Sequence, residues 1–124
     1  MESNARNAPK RRWRDYQTAS GRRPVKEFIS SLTDDEAAAV AAAMKDIRQN
    51  GHVNAHHLRG DIYEVIASSS NKAFRVLYAT EGKQDQILLA LNGITKKTRT
   101  VPGQEIRLAE RRLRDWRTRS HQSP

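Results

Sequence analysis

Three cations, Lys96, Lys97 and Arg99, stand where the most apolar stretch of this 124-residue sequence ends, in "LNGITKKTRTVPGQE". Arg75 lies inside a second apolar stretch, "AFRVLYAT", and Arg59 precedes a third, in "HHLRGDIYEV". If these stretches are adjacent strands, their cations can meet over one phosphate, for which arginine offers a planar fork of donors. When a 2′-hydroxyl attacks a neighbouring phosphate, negative charge grows on the non-bridging oxygens, and donors fixed in advance lower that barrier. A general base and a general acid would each add roughly 10²- to 10⁴-fold, and Glu64, His56 and His57 are the nearest groups of suitable type. Each has a plainer role open to it. Glu64 can be the ion partner of Arg75 or Arg59, the histidines can be solvated loop residues, and Arg75 can be paired or reach outward from a strand edge.

Other chemistries find no support. There is no glycine-rich phosphate loop, no HExxH, no GxSxG and no acid cluster suited to a metal. The His56–His57 doublet has no third ligand at a telling spacing, and cysteine is absent. No cofactor, metal or small-molecule ligand is expected. Trp13, Tyr16, Tyr63, Phe74 and Tyr78 are of a type that stacks on bases, but core packing accounts equally well for those in strands.

The charge narrows the partners. Twenty-three Lys and Arg oppose fourteen Asp and Glu, giving +9 and a pI near 10.5. Nucleic acid, an acidic protein or an anionic surface would each fit. The cations cluster toward the two ends of the chain while the middle is close to neutral. No apolar run is long enough to span a bilayer and the N-terminus carries no apolar leader, so a cytoplasmic protein without membrane contact is expected.

The elements that must position these residues follow from periodicity. Residues 1–12 lack it and are expected to be a disordered basic tail, with one domain over 13–119 and a short tail over 120–124. "WRDYQTA" alternates weakly as a first strand. In "GRRPVKEFISSL", Pro24 suits a first helical position and Val25, Phe28, Ile29 and Leu32 recur at helical spacing. A second helix starts at the capping-box pair Thr33 and Glu36, buries Ala37, Val40, Ala41, Met44 and Ile47, and stops at Gly51. After a polar loop, "DIYEVIAS", "AFRVLYAT" and "QILLALN" read as an antiparallel meander, with the last strand internal because it is apolar on both faces. A final helix after Pro102 has Ile106, Ala109, Leu113 and Trp116 as its buried stripe and Arg107, Arg111 and Arg114 on another face. The fold class is α+β: strand, helix, helix, three strands, helix, on a small, mostly antiparallel sheet.

"GRRPVKEFISSL", "HHLRGDIYEV", "AFRVLY" and "LLALNGITKKTRTVPGQEIRLAERR" together resemble the phage Gp49-like, HigB-like branch of the RelE/HigB toxin superfamily, over about residues 13 to 117. The resemblance implies a RelE-like sandwich and a small basic ribonuclease of a type II toxin–antitoxin module. Such a toxin cuts mRNA on the ribosome without metal, arrests translation, and is neutralised by an antitoxin that is commonly a helix-turn-helix DNA binder. Arg59 matches the arginine of the family's "LRG", Arg75 the phosphate-binding arginine before "VLY", and Lys96 and Lys97 the cation pair after the last core strand. These four are the catalytic residues the resemblance implies; the residues themselves add Glu64 as a catalytic candidate and Arg22, Arg23, Arg99, Arg107, Arg111 and Arg114 as expected RNA-binding cations. RelE itself carries lysines on the first hairpin strand, where this sequence has Glu64 and Ile66, so the base is left unassigned. Two further functions stay open: a non-catalytic module that docks as ParE-like toxins do, and a basic protein whose last helix contacts DNA.

Overall fold

The structure is a computed structural model that describes residues 10–96 and 100–122, so most of the expected N-terminal tail, together with Lys97 and Arg99, lies outside the described residues. The chain folds as β1 (Arg12–Asp15), α1 (Pro24–Ser30), α2 (Asp34–Asn50), a 3₁₀ turn (Gly51–Asn54), β2 (His56–Arg59), β3 (Ile62–Ser69), β4 (Lys72–Glu81), a second 3₁₀ turn (Lys83–Asp85), β5 (Ile87–Lys96) and α3 (Gly103–Gln122). The five strands form one sheet in the order β1-β5-β4-β3-β2, antiparallel except for the β1–β5 pair. The α+β class and the meander agree with the sequence reading.

The first two helices begin where local chemistry stabilises them. Pro24 opens α1, and at α2 the Thr33 side chain accepts from the Glu36 N–H while Glu36 accepts from the Thr33 N–H. That capping box satisfies two backbone donors with no helical partner, and Asp34 and Asp35 add negative charge at the positive end of the helix dipole. The apolar stripe of α2 keeps Val40, Met44 and Ile47 of the expected set, with Ala39 and Ala43 beside them in place of Ala37 and Ala41. Val40 and Ile47 are buried and Ala39, Ala43 and Met44 pack beside them, whereas Ala41 is exposed. Spacings of three and four residues from Val40 select Ala43, Met44 and Ile47; Ala41, one position on, lies about 100° round the helix.

Alternation along β4 separates two cores. Phe74, Val76 and Tyr78 face α1 and α2 with Val25, Val40, Ile47, Val65 and Leu88, whereas Leu77 and Ala79 face α3 with Ile62, Leu89, Leu91, Ala109 and Leu113. A register shift between Leu77 and Tyr78 inserts Leu91 as an extra residue in β5, so Leu91 and Asn92 both serve the α3 side. Gly93 then lies under α1. A Cβ built there would stand 2.2 Å from the Phe28 ring, so the contact requires glycine.

One strand departs from expectation. "HHLR", read as part of a loop, is β2, which pairs antiparallel with β3 through His56–Glu64, His57–Tyr63 and Arg59–Ile62. Leu58 is its sole apolar residue, so no alternation marks it. The tight turn through Gly60, at φ +54°, brings it back along β3.

Candidate functional site

Two adjacent strands build the centre of the site. On β4, Arg75 pairs across to Ile66 of β3 and Ile94 of β5, on the sheet face that carries α3. On β3, Glu64 pairs with Leu77 on the same face, so Glu64 and Arg75 are diagonal neighbours. The Arg75 Nε lies 3.6 Å from Glu64 Oε1, with side-chain exposures of only 4% and 7%. From the edge strand, His56 brings its Nδ1 to 3.9 Å from the other Glu64 oxygen. Burial raises the Glu64 carboxyl above the ordinary range, and the charges of Arg75 and His56 oppose that shift without cancelling it. Glu64 is thus a carboxyl whose protonation depends on its burial and on the neighbouring Arg75 and His56.

β5 passes Arg75 two residues before its end. The Lys96 backbone pairs with Ala73, and the chain continues into Lys97 and Arg99, outside the described residues. Arg75 and the start of the "KKTR" segment therefore share one end of the sheet. The buried Val101 packs beneath α3, and Asn92 donates from Nδ2 to the Glu105 carbonyl at 2.8 Å.

Arg59 is not at this end. Its place opposite Ile62 is four residues along and two strands across from Arg75, about 16 Å between Cα positions by standard sheet spacings. Its guanidinium holds Glu110 of α3 through Nε at 3.3 Å and Nη2 at 2.7 Å. That bond lowers the Glu110 carboxyl below its ordinary range. His57 likewise turns away, with Nε2 2.7 Å from the Gly60 carbonyl oxygen.

The outer cations fall into two groups. Arg107, Arg111 and Arg114 are exposed and, among the described residues, make no salt bridge. Spaced at four and three residues, they form a stripe along α3, spanning about 10 Å. Arg22 and Arg23 precede α1 and are both paired, Arg22 with Glu27 at 2.6 Å and Arg23 with Asp15 at 3.0 Å.

Sequence reasoning missed the residues that fix α3 over the sheet. Asn92 is 1% exposed, and its Oδ1 accepts from Arg112 Nη1 at 3.1 Å, while the same nitrogen donates to the Leu91 carbonyl at 2.8 Å. Arg117 reaches Glu81 of β4 at 2.8 Å and Asp61 at 3.1 Å, while within α3 itself Arg119 reaches Asp115 at 2.6 Å. A signal for Asn92 existed: it is the only hydrogen-bonding side chain within "ILLALNGI".

Among the described residues, no group of three or more His, Cys, Asp and Glu is placed to hold a metal ion, and no helix is long and apolar enough to cross a membrane. No curated protein matches the chain. The model of one family, described as phage derived protein Gp49-like, matches residues 27–114, which contain Glu64, Arg75, both lysines and the α3 stripe. This family is the HigB/RelE-like toxin group, whose toxins pair with an antitoxin. The chain belongs to the phage-derived Gp49-like family of toxin–antitoxin toxins.

Proposed function

We propose that this toxin is a metal-independent endoribonuclease acting on ribosome-bound mRNA, and that the sheet face holding Arg75 and Glu64 is where the phosphodiester is cut. One observation carries the reading: a buried cation–carboxyl pair, extended by His56, runs across the sheet face from Glu64 to Arg75, and Arg75 lies two residues short of the register at which β5 reaches Lys96. In this reaction the 2′-oxygen bonds to phosphorus, the bond to the 5′-oxygen breaks, and one proton leaves the nucleophile as another reaches the leaving group. Arg75, Lys96 and Lys97 stabilise the charge gathered on the phosphorane oxygens. Glu64 is the candidate for proton transfer, with His56 beside it. Arg107, Arg111 and Arg114 hold the RNA backbone, and Arg59 belongs with this outer group because Glu110 holds it toward α3. Arg22, Arg23 and Arg99 supply further phosphate contacts.

A docking reading is favoured by one contrast: Arg75 is 4% exposed whereas the α3 arginines are open to solvent. In it the basic helix blocks a nucleic-acid or protein surface and no bond is cut. Primer extension on cellular mRNA after brief induction separates the two. The test compares wild type with Lys97→Ala and with the double variant Arg75→Met/Glu64→Leu, which removes both buried charges together. New 5′ ends inside translated regions for wild type and their loss in both variants is the expected result. Growth arrest without new ends would overturn cleavage and leave docking.

A further inference from the structure

We propose that the open edge of β1 is an acceptor for an extended acidic segment of a protein partner, which joins the sheet as a further strand. The inference rests on the antitoxin partner that family membership implies and is independent of RNA cleavage. Among the described residues, β1 is the end strand on its side of the sheet and pairs only with β5. In that parallel pair the Arg12 N–H donates to the Gln86 carbonyl and the Tyr16 N–H to the Ala90 carbonyl, both at 2.9 Å. By the alternation of a parallel ladder, Trp13 and Asp15 turn their N–H and C=O groups away from β5, toward the open side. A groove of about 560 Å³ lies there, lined by Arg12, Trp13, Arg14, Asp15, Gln17 and Arg23.

The opposite edge of the sheet is built differently. β2 is interrupted by a register shift between His57 and Arg59, and Arg59 is tied to α3 through Glu110, features that blunt an edge against pairing. No register shift interrupts the β1 ladder.

Charge selects the occupant. Three guanidinium groups line the groove against one carboxylate, that of Asp15, which Arg23 already engages at 3.0 Å. Arg12 and Arg14 are exposed on one face of the strand, and Arg14 is steadied over the Trp116 ring at 5.6 Å. Trp13 packs on the other face. Two residues along a strand span about 6.6 Å, so an added strand meets Arg12 and Arg14 with side chains at positions i and i+2. The geometry therefore specifies acidic residues at alternate positions with apolar ones between them, facing Trp13. A nucleic acid would satisfy the cations but leave the outward N–H and C=O groups without a ladder, whereas strand addition satisfies both.

The test is titration of the ¹⁵N-labelled full chain with an acetylated, amidated heptapeptide of alternating Glu and Val, followed by NMR and amide exchange. Saturable binding with slowed exchange at the Trp13 and Asp15 amides, and none at β2, is expected. N-methylation of alternate peptide amides should weaken binding by about tenfold or more, as should Arg12→Glu/Arg14→Glu in the protein. Binding indifferent to N-methylation would show charge attraction alone and overturn the proposal. So would absence of binding, shifts centred on Arg107, Arg111 and Arg114, or equal protection of Trp13 and Asp15 by a single-stranded oligonucleotide. A failed search for RNA cleavage would leave this result unaltered.

Discussion

Arg75→Met tests whether the centre of the site is a coupled buried pair. At the 3.6 Å separation of Nε and Oε1, two unit charges attract by about 5 kcal/mol at an effective dielectric of 20. Glu64 and Arg75 are both nearly inaccessible, so solvent cannot replace the lost partner. Removing the guanidinium should therefore cost about 3–5 kcal/mol at neutral pH, mostly as the penalty of a carboxylate left buried. The pH dependence has a definite sign. Glu64 already has a folded-state pKa above its ordinary value through burial, and loss of Arg75 removes an opposing influence and raises it further. An acid with a raised folded pKa destabilises the fold when ionised, so the deficit is full above the folded pKa and fades as pH falls toward the unfolded value. Urea unfolding from pH 4 to pH 8 reads this directly. The double variant Arg75→Met/Glu64→Leu should recover most of the loss at neutral pH, since an apolar pair of similar volume leaves no buried charge. A single-variant loss under about 1 kcal/mol would mean that solvent screens the pair. A pH-independent deficit would mean that Glu64 is not the group left exposed to the loss, and either result would refute the coupling.

Three further outcomes follow from other parts of the molecule. Charge reversal of Arg107, Arg111 and Arg114 should leave the circular dichroism spectrum intact, because all three are exposed, and should flatten the salt dependence of single-stranded RNA binding by about two log units per log of salt, as three phosphate contacts require; an unchanged slope would remove the stripe from the interface. Gly93→Ala should destabilise the fold by about 1–3 kcal/mol in urea, because its Cβ would meet Phe28 at 2.2 Å, and Phe28→Leu should relieve part of that loss. Asn92→Ala should cost about 1–3 kcal/mol, since it removes the acceptor for Arg112 and the donor to the Glu105 carbonyl in a buried setting.

Legibility in the sequence tracked the range of the interaction involved. The capping box joins residues three apart, and the apolar stripe of α3 repeats within a few turns, so both could be read locally. β2 could not, because its pairing is set by the turn at Gly60 and by β3 rather than by an alternating pattern of its own. At the site, the oddity of a cation inside an apolar strand was visible at Arg75, and so was a carboxyl at Glu64 able to answer it. The separation of Arg59 from that pair was not visible. It depends on Glu110, 51 residues away, and on α3 crossing the sheet at a height fixed by Asn92 and Arg112. Such contacts depend on how elements stack, which residue types in one segment do not encode.

The same helix explains why so basic a chain can fold and still offer a cationic surface. Arg112, Arg117 and Arg119 bind carbonyls or carboxylates of the sheet and of α3 itself, so their charge is spent within the fold. Arg107, Arg111 and Arg114 fall on the remaining arc, where like charges at spacings of four and three repel by a few tenths of a kcal/mol per pair. Glu110 lies within this arc, and both Arg107 and Arg114 depress its pKa, so part of that repulsion is balanced by the carboxylate that also anchors Arg59. Glu110→Gln should therefore act in two directions at once. It should release Arg59 and lower stability, while increasing the net positive charge of the stripe and strengthening RNA binding at low salt. A variant that lost both stability and RNA affinity would show instead that Arg59, held in place by Glu110, is itself an essential RNA contact.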